Sequence, residues 1–576
     1  AACAALAAFL EDVTNVSIPG SKASIASSRC CSGYLGRRMK KTGAWLTRYA
    51  LEQIGVTHTF GIPGFHNTAI YTELQQSDTI TPSLVTHEAS AAFMADAISR
   101  TTRSIGTLLI IPGAGVTHAA SGIGEAFLGG IPMLVIAGGI EYQTNHRFQR
   151  QDIDHRALLT PITKATYLVE HLSDIVPTIF EAYRTAIEGE PGPVFVEIPV
   201  NLQTHSIDNG SLPVFDGHRI TPPLDMAAIE LAAEMLAKAE HPGILIGWGA
   251  HEASESIQAL ASHLNAPVAT TLQGLSVFPA NHPLHTGMGF GPAAVPAAQH
   301  AFANCDCLLA IATRFSEIPT GNYGLNMPDA LIHVDINPAV FNANYPAKQT
   351  LLGDAADVAA ALTEAINKHV PTSAPDNTLL TKIATDKRNY LADWQKQSGK
   401  RVNPARFFTA LRQHMPDDAL VACDDGNHMF LAAELLPIHQ PGGFICPGDF
   451  NAMGYGVPAA NALKMAHPQC TVIGLVGDAA MMMTGMEALT ASKYQLGVIY
   501  CLFNDGEISG EIRQLPGQVT QMIKLGEADW VSFAHAIGCE YVTIEDNDDI
   551  ESALDTAFSL ATENRPVMID ILIDYS

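Results

Sequence analysis

Apolar and polar positions alternate along this chain in two rhythms. The stretch "TGAWLTRYALEQIG", from residue 42, spaces its apolar residues as an amphipathic helix does. A short strand-like run at Thr57–Phe60 and a Gly/Pro turn follow it. Further apolar runs, "GTLLII", "PMLVIAGG" and "PVFVEIPV", read as strands with helical stretches between them. Such alternation predicts a parallel sheet covered by helices over residues 40–205. A polar linker, "SIDNGSLPVFDGHRITPPLD", ends the block. The rhythm then resumes with "GILIGWG", "CLLAIATRF" and "LIHVDINP" over residues 220–368. After "KHVPTSAPDNTLLTK" and a helical stretch, a third block over residues 395–576 carries "ALVACDDGN", "TVIGLVGDAA", "GVIYCLFND" and "PVMIDILIDY". The fold class expected is α/β, with three doubly wound parallel-sheet domains.

Composition narrows the function. A length of 576 residues suits about three or four domains. The net charge of -26 argues against a nucleic-acid partner, because a phosphate backbone attracts basic surfaces. No stretch approaches the roughly 18 apolar residues that span a bilayer. The ten cysteines contain no paired C-x-x-C, and several, such as Cys501 in "VIYCLF", read as small core residues. That usage points to a reducing, cytoplasmic setting. Residues 1–39 differ in character from the rest of the chain and read as a disordered, processed or foreign extension, with Met39 near the true start. The Ser-rich, acid-free run from residue 13 to 41 leaves import into an organelle open.

Open parallel sheets bind ligands at the carboxyl ends of their strands. In the third block, Asp478 follows the strand "TVIGLVG" and Asn504 ends the strand "VIYCLF". Adjacent parallel strands would set the two oxygens about 5 Å apart. A carboxylate, an amide oxygen and a backbone carbonyl make an incomplete hard-oxygen shell that suits Mg²⁺. The turn Gly477-Asp478-Ala479-Ala480 would offer backbone N–H groups to phosphates. The plainer alternative stays open on this motif alone: Asp478 caps a helix and Asn504 ends a strand.

The stretch "GDA…FND" resembles the G-D-G…N-N motif of thiamine diphosphate enzymes, with Ala479 and Phe503 departing from it. "LVTHEASAAFMADAISR" resembles the segment that carries the family's cofactor-activating glutamate, here Glu88. "IPGAGVTHAASGIGEAFLGGIPMLVIAGG", "PVATTLQGLSVFPANHPLHTGMG", "DDGNHMFLAAEL" and "GDFNAMGYGVPAANALKMAHP" extend the likeness over residues 42–574, closest in kind to acetolactate synthase-like members. The resemblance implies Asp478, Asn504 and the Gly506 carbonyl as Mg²⁺ ligands. It implies Gly426, Asn427 and His428 over the diphosphate, the Asn451 backbone at the pyrimidine, and Met453 beneath the bent cofactor. Glu88 would hold a proton at the pyrimidine N1′.

The implied reaction removes CO₂ from a small 2-oxoacid and joins the remaining acyl carbanion to a second carbonyl. The alternative fate is protonation to an aldehyde, as in simple decarboxylases. His66 in "GIPGFHN", His118 in "GVTHAASG", Gln149 in "HRFQRQDIDHR" and Glu507 or Glu511 are candidates for directing it, though His66 reads equally as a turn residue. The resemblance leaves FAD open: "ATRFSEIPTGN" matches part of a flavin site, whereas "TGMGFGPAA" lacks a histidine usual before it. It implies a homodimer or homotetramer with sites between subunits. A catalytically silent scaffold of the same fold is the alternative of another class, and retention of Glu88, Asp478 and Asn504 argues against it.

Overall fold

A computed structural model describes residues 40–576 except 209–210, 218–220, 370–374, 398, 400, 509, 511–520, 574 and 576. It contains three parallel sheets of six strands, each flanked by helices. In the first, the strands Thr81–Leu84, His58–Gly61, Gly106–Ile110, Met133–Gly139, Pro193–Pro199 and Ala165–Leu168 lie side by side in that order. In the central sheet the order is His285–Met288, Val268–Thr270, Pro242–Ile246, Cys307–Ile311, Ala330–Asp335 and Gln349–Leu352. In the third it is Phe444–Ile445, Leu420–Cys423, Val472–Gly477, Val498–Asn504, Val567–Leu572 and Glu540–Ile544. Every neighbouring pair in these sheets is parallel. Strands buried on both faces need no polar side, which is why their sequences are continuous apolar runs.

Helix starts follow local chemistry. Thr42 caps the helix Gly43–Gln53 by accepting from Trp45 N at 3.1 Å. Asp225 does the same for Met226–Lys238 through two backbone amides.

The first and third domains share a core within one chain. Helix Glu88–Thr101 packs on helix Gly456–Ala466. Both faces are rich in alanine, with Ala91, Ala92, Ala95, Ala459, Ala460 and Ala462 all buried, so the backbones can approach closely. Phe93 meets Tyr455 edge-on at 5.6 Å between ring centroids. Tyr455 donates to Asp96 at 2.7 Å, and Asp96 also takes Arg100 Nε at 2.6 Å, so the charges buried at this contact are paired. No helix among the described residues is long and apolar enough to cross a membrane.

Candidate active site

Register decides where the third domain places its acid. Strands Val472–Gly477 and Val498–Asn504 pair with Gly477 opposite Phe503, so Asp478 and Asn504 emerge side by side at the carboxyl edge of the sheet. Asp478 opens the helix Asp478–Thr484 and is 4% exposed. Its carboxylate accepts from Ala479 N and Gly506 N, each at 2.7 Å. Asn504 Nδ2 donates to Asp570 Oδ1 at 3.0 Å, which turns the amide oxygen toward the other side. Gly506, at φ +78°, accepts from Leu525 N at 2.9 Å, leaving its carbonyl one lone pair. Burial pushes the Asp478 carboxyl up to about 6, and the neighbouring Asp505 adds to the shift. A buried carboxylate beside a second acid is the charge pattern a divalent cation relieves. The residues present fit Mg²⁺.

They fit a diphosphate as well. Helices Asn427–Leu435 and Asp478–Thr484 start at the carboxyl ends of neighbouring strands, after Gly426 and Gly477. Neither start has a capping side chain before it, and Ala479 N already donates to the Asp478 carboxylate, so a phosphate would meet the other backbone N–H groups of these two turns. Asn427 is the first residue of its helix. His428 lies beneath this turn: it is 2% exposed and stacked on Phe503 at 5.3 Å. A Cβ on Gly477 would sit 3.1 Å from its ring. Burial drives its pKa down to about 3, so it contributes a neutral ring and not a cation. Ala479 and Ala480 continue the second helix with ordinary helical backbone, so alanine in place of glycine costs no strain there.

The first domain presents Glu88 as the opening residue of helix Glu88–Thr101, 6% exposed. His118 Nδ1 lies 3.1 Å from Glu88 Oε2, and the His87 ring stacks on His118 at 4.7 Å. Gly115 flanks the other carboxylate oxygen, where a Cβ would come within 3.4 Å of Oε1. His66 and Gln149 do meet, on a pocket of about 300 Å³ whose lining includes His146 and Arg150. Burial lowers the His66 pKa, with Arg150 and His155 acting in the same direction and a bond to Gln151 opposing them. Gln149 Nε2 is tied to the Glu141 carbonyl at 3.0 Å. The adjacent Phe148 is 98% exposed at φ +57°. Glu507 pairs antiparallel with Lys524, and Glu511 lies outside the described residues.

Asn451 and Met453 sit on the segment between strand Phe444–Ile445 and helix Gly456–Ala466. Asn451, at φ +61°, donates through Nδ2 to Asp425 Oδ2 at 3.1 Å. Met453 packs against the core shared by the first and third domains. Sequence reasoning missed Asp570, Asp424 and Glu125, which act on backbone or on other side chains. Asp424 had one usable signal, an acid at a strand end in "CDDGN"; Glu125 and Asp570 had none. A cavity of about 800 Å³ opens between the first and central domains and reaches Gly448 and Asp449 of the third, with Trp248, Gln273, Arg314 and Asp335 in its wall.

Comparison with known proteins identifies the family of all three domains. Residues 41–158 match the N-terminal TPP binding domain of thiamine pyrophosphate enzymes, residues 229–362 the central domain, and residues 424–571 the C-terminal TPP binding domain. The chain is 31% identical over 544 residues to the probable acetolactate synthase large subunit of Methanocaldococcus jannaschii, covering 91% of this chain and 90% of the relative. It is 29% identical over 548 residues to the acetolactate synthase large subunit of Corynebacterium glutamicum, covering 93% and 87%. Against the isozyme 2 large subunit of Escherichia coli the identity is 30% over 541 residues, covering 92% and 95%.

Proposed function

The chain belongs to the thiamine pyrophosphate enzymes, and from that premise we propose that it decarboxylates a 2-oxoacid and ligates the acyl fragment to a second carbonyl. The relatives named above are acetolactate synthase large subunits, and that likeness supports ligation. The observation that carries the cofactor reading is the Gly477–Phe503 register, which sets Asp478 beside Asn504.

When bound, the cofactor supplies an electron sink for the carbanion left by CO₂. The chain's residues do the rest. Asp478, Asn504 and the Gly506 carbonyl hold Mg²⁺, and the backbone N–H groups after Gly426 and Gly477 take the diphosphate, with Asn427 beside them. Asn451 and Met453 shape the seat of the rings. Glu88 holds and returns a proton at the pyrimidine nitrogen, with His118 in hydrogen-bond reach of the same carboxyl. His66, Gln149 and Arg150 receive the 2-oxoacid carboxylate. A lowered His66 pKa keeps that imidazole neutral near pH 7, which makes it a poor proton donor and favours ligation over release of an aldehyde.

Glu88 and Asp478 belong to different domains, and the neighbours of Glu88 described above are all in the first. The working unit is a homodimer, alone or paired into a tetramer, in which Glu88 of one chain meets the cradle of its partner. Helix Asp478–Thr484, the turn Gly485–Glu487 and helix Ala488–Tyr494 expose Met482, Met483, Met486 and Leu489 at 42–58%, an apolar surface suited to a second copy. The central cavity has the volume of a nucleotide site, and FAD is its candidate occupant. Flavin fluorescence after saturation with FAD and desalting tests that point.

The deciding experiment supplies thiamine diphosphate and Mg²⁺ with a panel of 2-oxoacids and reads both CO₂ and product. Formation of a new carbon–carbon bond is expected. Aldehyde as the sole product overturns ligation, and silence across small, aromatic and cationic substrates overturns the enzyme reading.

A further inference from the structure

The segment from Cys446 to Tyr455 carries Asn451 and Met453 but belongs to no strand or helix, so its N–H groups need partners of another kind. Two fully buried carboxylates supply them for Gly448, Ala452 and Gly454. Asp424, just past the end of strand Leu420–Cys423, accepts from Gly454 N at 2.8 Å and extends the hold to Gly456 N, at 2.7 Å, where the next helix begins. Glu125 comes from the first domain, on helix Ala114–Gly129. Its Oε1 accepts from Gly448 N at 2.7 Å and its Oε2 from Ala452 N at 3.1 Å. One carboxylate therefore bridges the loop from Gly448 to Ala452, with one oxygen for each end.

The seat is close on its other sides too. A Cβ on Gly448 would lie 2.1 Å from Gln273 Nε2, and a Cβ on Gly124 would lie 2.6 Å from the Phe450 ring. From the central domain, Arg314 Nη2 reaches Asp449 Oδ2 at 3.1 Å. All three domains thus hold this one loop.

An acid is an expensive way to fill that space. Burial pushes the Glu125 carboxyl up to about 7, even with two N–H donors and Arg100 nearby to lower it. An apolar side chain would fill the space more cheaply but would leave both amides without a partner. The carboxylate's distinctive product is conformational: two backbone amides fixed at one spacing, on either side of Asn451.

We propose that Glu125 is a positioning residue for the cofactor, holding the Gly448–Ala452 loop so that Asn451 and Met453 form the ring seat. The proposal rests on the reading of those two residues given above.

In Glu125→Gln one acceptor oxygen becomes an NH₂ group facing an N–H, so one bond is lost and two donors meet. Amide hydrogen exchange of the peptide spanning 446–455 should quicken by about tenfold, and half-saturation by thiamine diphosphate with Mg²⁺, read from tryptophan fluorescence, should rise by about as much. Exchange in strand Val472–Gly477 should stay as in the unmodified chain, marking an intact third domain. Unchanged loop exchange overturns the proposal, and so does faster loop exchange with unchanged half-saturation. If Glu125→Gln does not fold, Glu125→Asp carries the same test with the same outcomes, because its carboxylate is one methylene short of bridging both amides. The unmodified chain separates the two readings. Absence of cofactor binding there defeats the functional reading, whereas binding that is insensitive to Glu125 defeats only the clasp.

Discussion

Replacing Asp478 by asparagine removes a charge from the crevice while keeping its shape, and the consequence should reverse sign between the empty and the loaded protein. The folded carboxyl has its pKa raised from 3.8 to about 6, by burial first and by Asp505 second. A raised acid pKa means that the folded state holds the proton more tightly than the unfolded chain does. Stability contributed by this group is therefore lost as pH rises from about 4 to 6, and the loss is complete above that range. The shift of about two units corresponds to about 3 kcal/mol at pH 7.5. Asparagine resembles the protonated acid, so the empty variant should escape that cost, less about 1 kcal/mol for the bond lost where its NH₂ group faces Ala479 N or Gly506 N. In the loaded protein the same substitution removes a charged ligand from Mg²⁺, and the stabilisation gained from thiamine diphosphate and Mg²⁺ should shrink. The assay is a thermal melt at pH 7.5, with EDTA or with cofactor and Mg²⁺. The variant should melt a few degrees higher than the parent when empty and gain less on loading. A lower melting point when empty refutes the electrostatic argument. An undiminished gain on loading refutes the metal assignment.

Glu88→Gln should lower turnover by about 10²–10⁴-fold with cofactor affinity kept, because an amide cannot hold the pyrimidine proton; activity within threefold of the parent would give Glu88 another role. Mixing inactive Glu88→Gln chains with inactive Asp478→Ala chains should restore part of the activity, since one site of each mixed dimer is intact; no recovery after verified subunit exchange would place each site within one chain. Arg150→Ala should raise KM for the 2-oxoacid more than it lowers kcat, the mark of a carboxylate held equally in ground and transition states; a fall in kcat alone would move Arg150 away from substrate binding.

The strands legible in the sequence are mostly the interior ones. In the first sheet, "GTLLII", "PMLVIAGG" and "PVFVEIPV" were readable, and Thr57–Phe60 fell one residue short of the observed His58–Gly61. The edges Thr81–Leu84 and Ala165–Leu168 were not. The third sheet repeats this, with Phe444–Ile445 and Glu540–Ile544 missed at its two edges. The central sheet loses three, His285–Met288, Val268–Thr270 and Gln349–Leu352, each of four residues or fewer. An interior strand is covered on both faces and is therefore mostly apolar. An edge strand such as Ala165–Leu168, half-buried at every position, carries no such requirement.

By itself the sequence determined the doubly wound class and the chemistry at the strand ends. Asp478 and Asn504 follow apolar runs directly, so local pattern alone places them at the carboxyl edge. It could not set Gly477 opposite Phe503, because register belongs to the pairing of two strands and not to either one. It gave no hint that His428 lies under the turn as a neutral ring, which burial decides. Nor could it find Glu125, whose partners are backbone amides at Gly448 and Ala452 more than 300 positions away. A carboxylate that binds main chain needs no particular partner residue, so only the packing of the first domain on the third reveals what it holds.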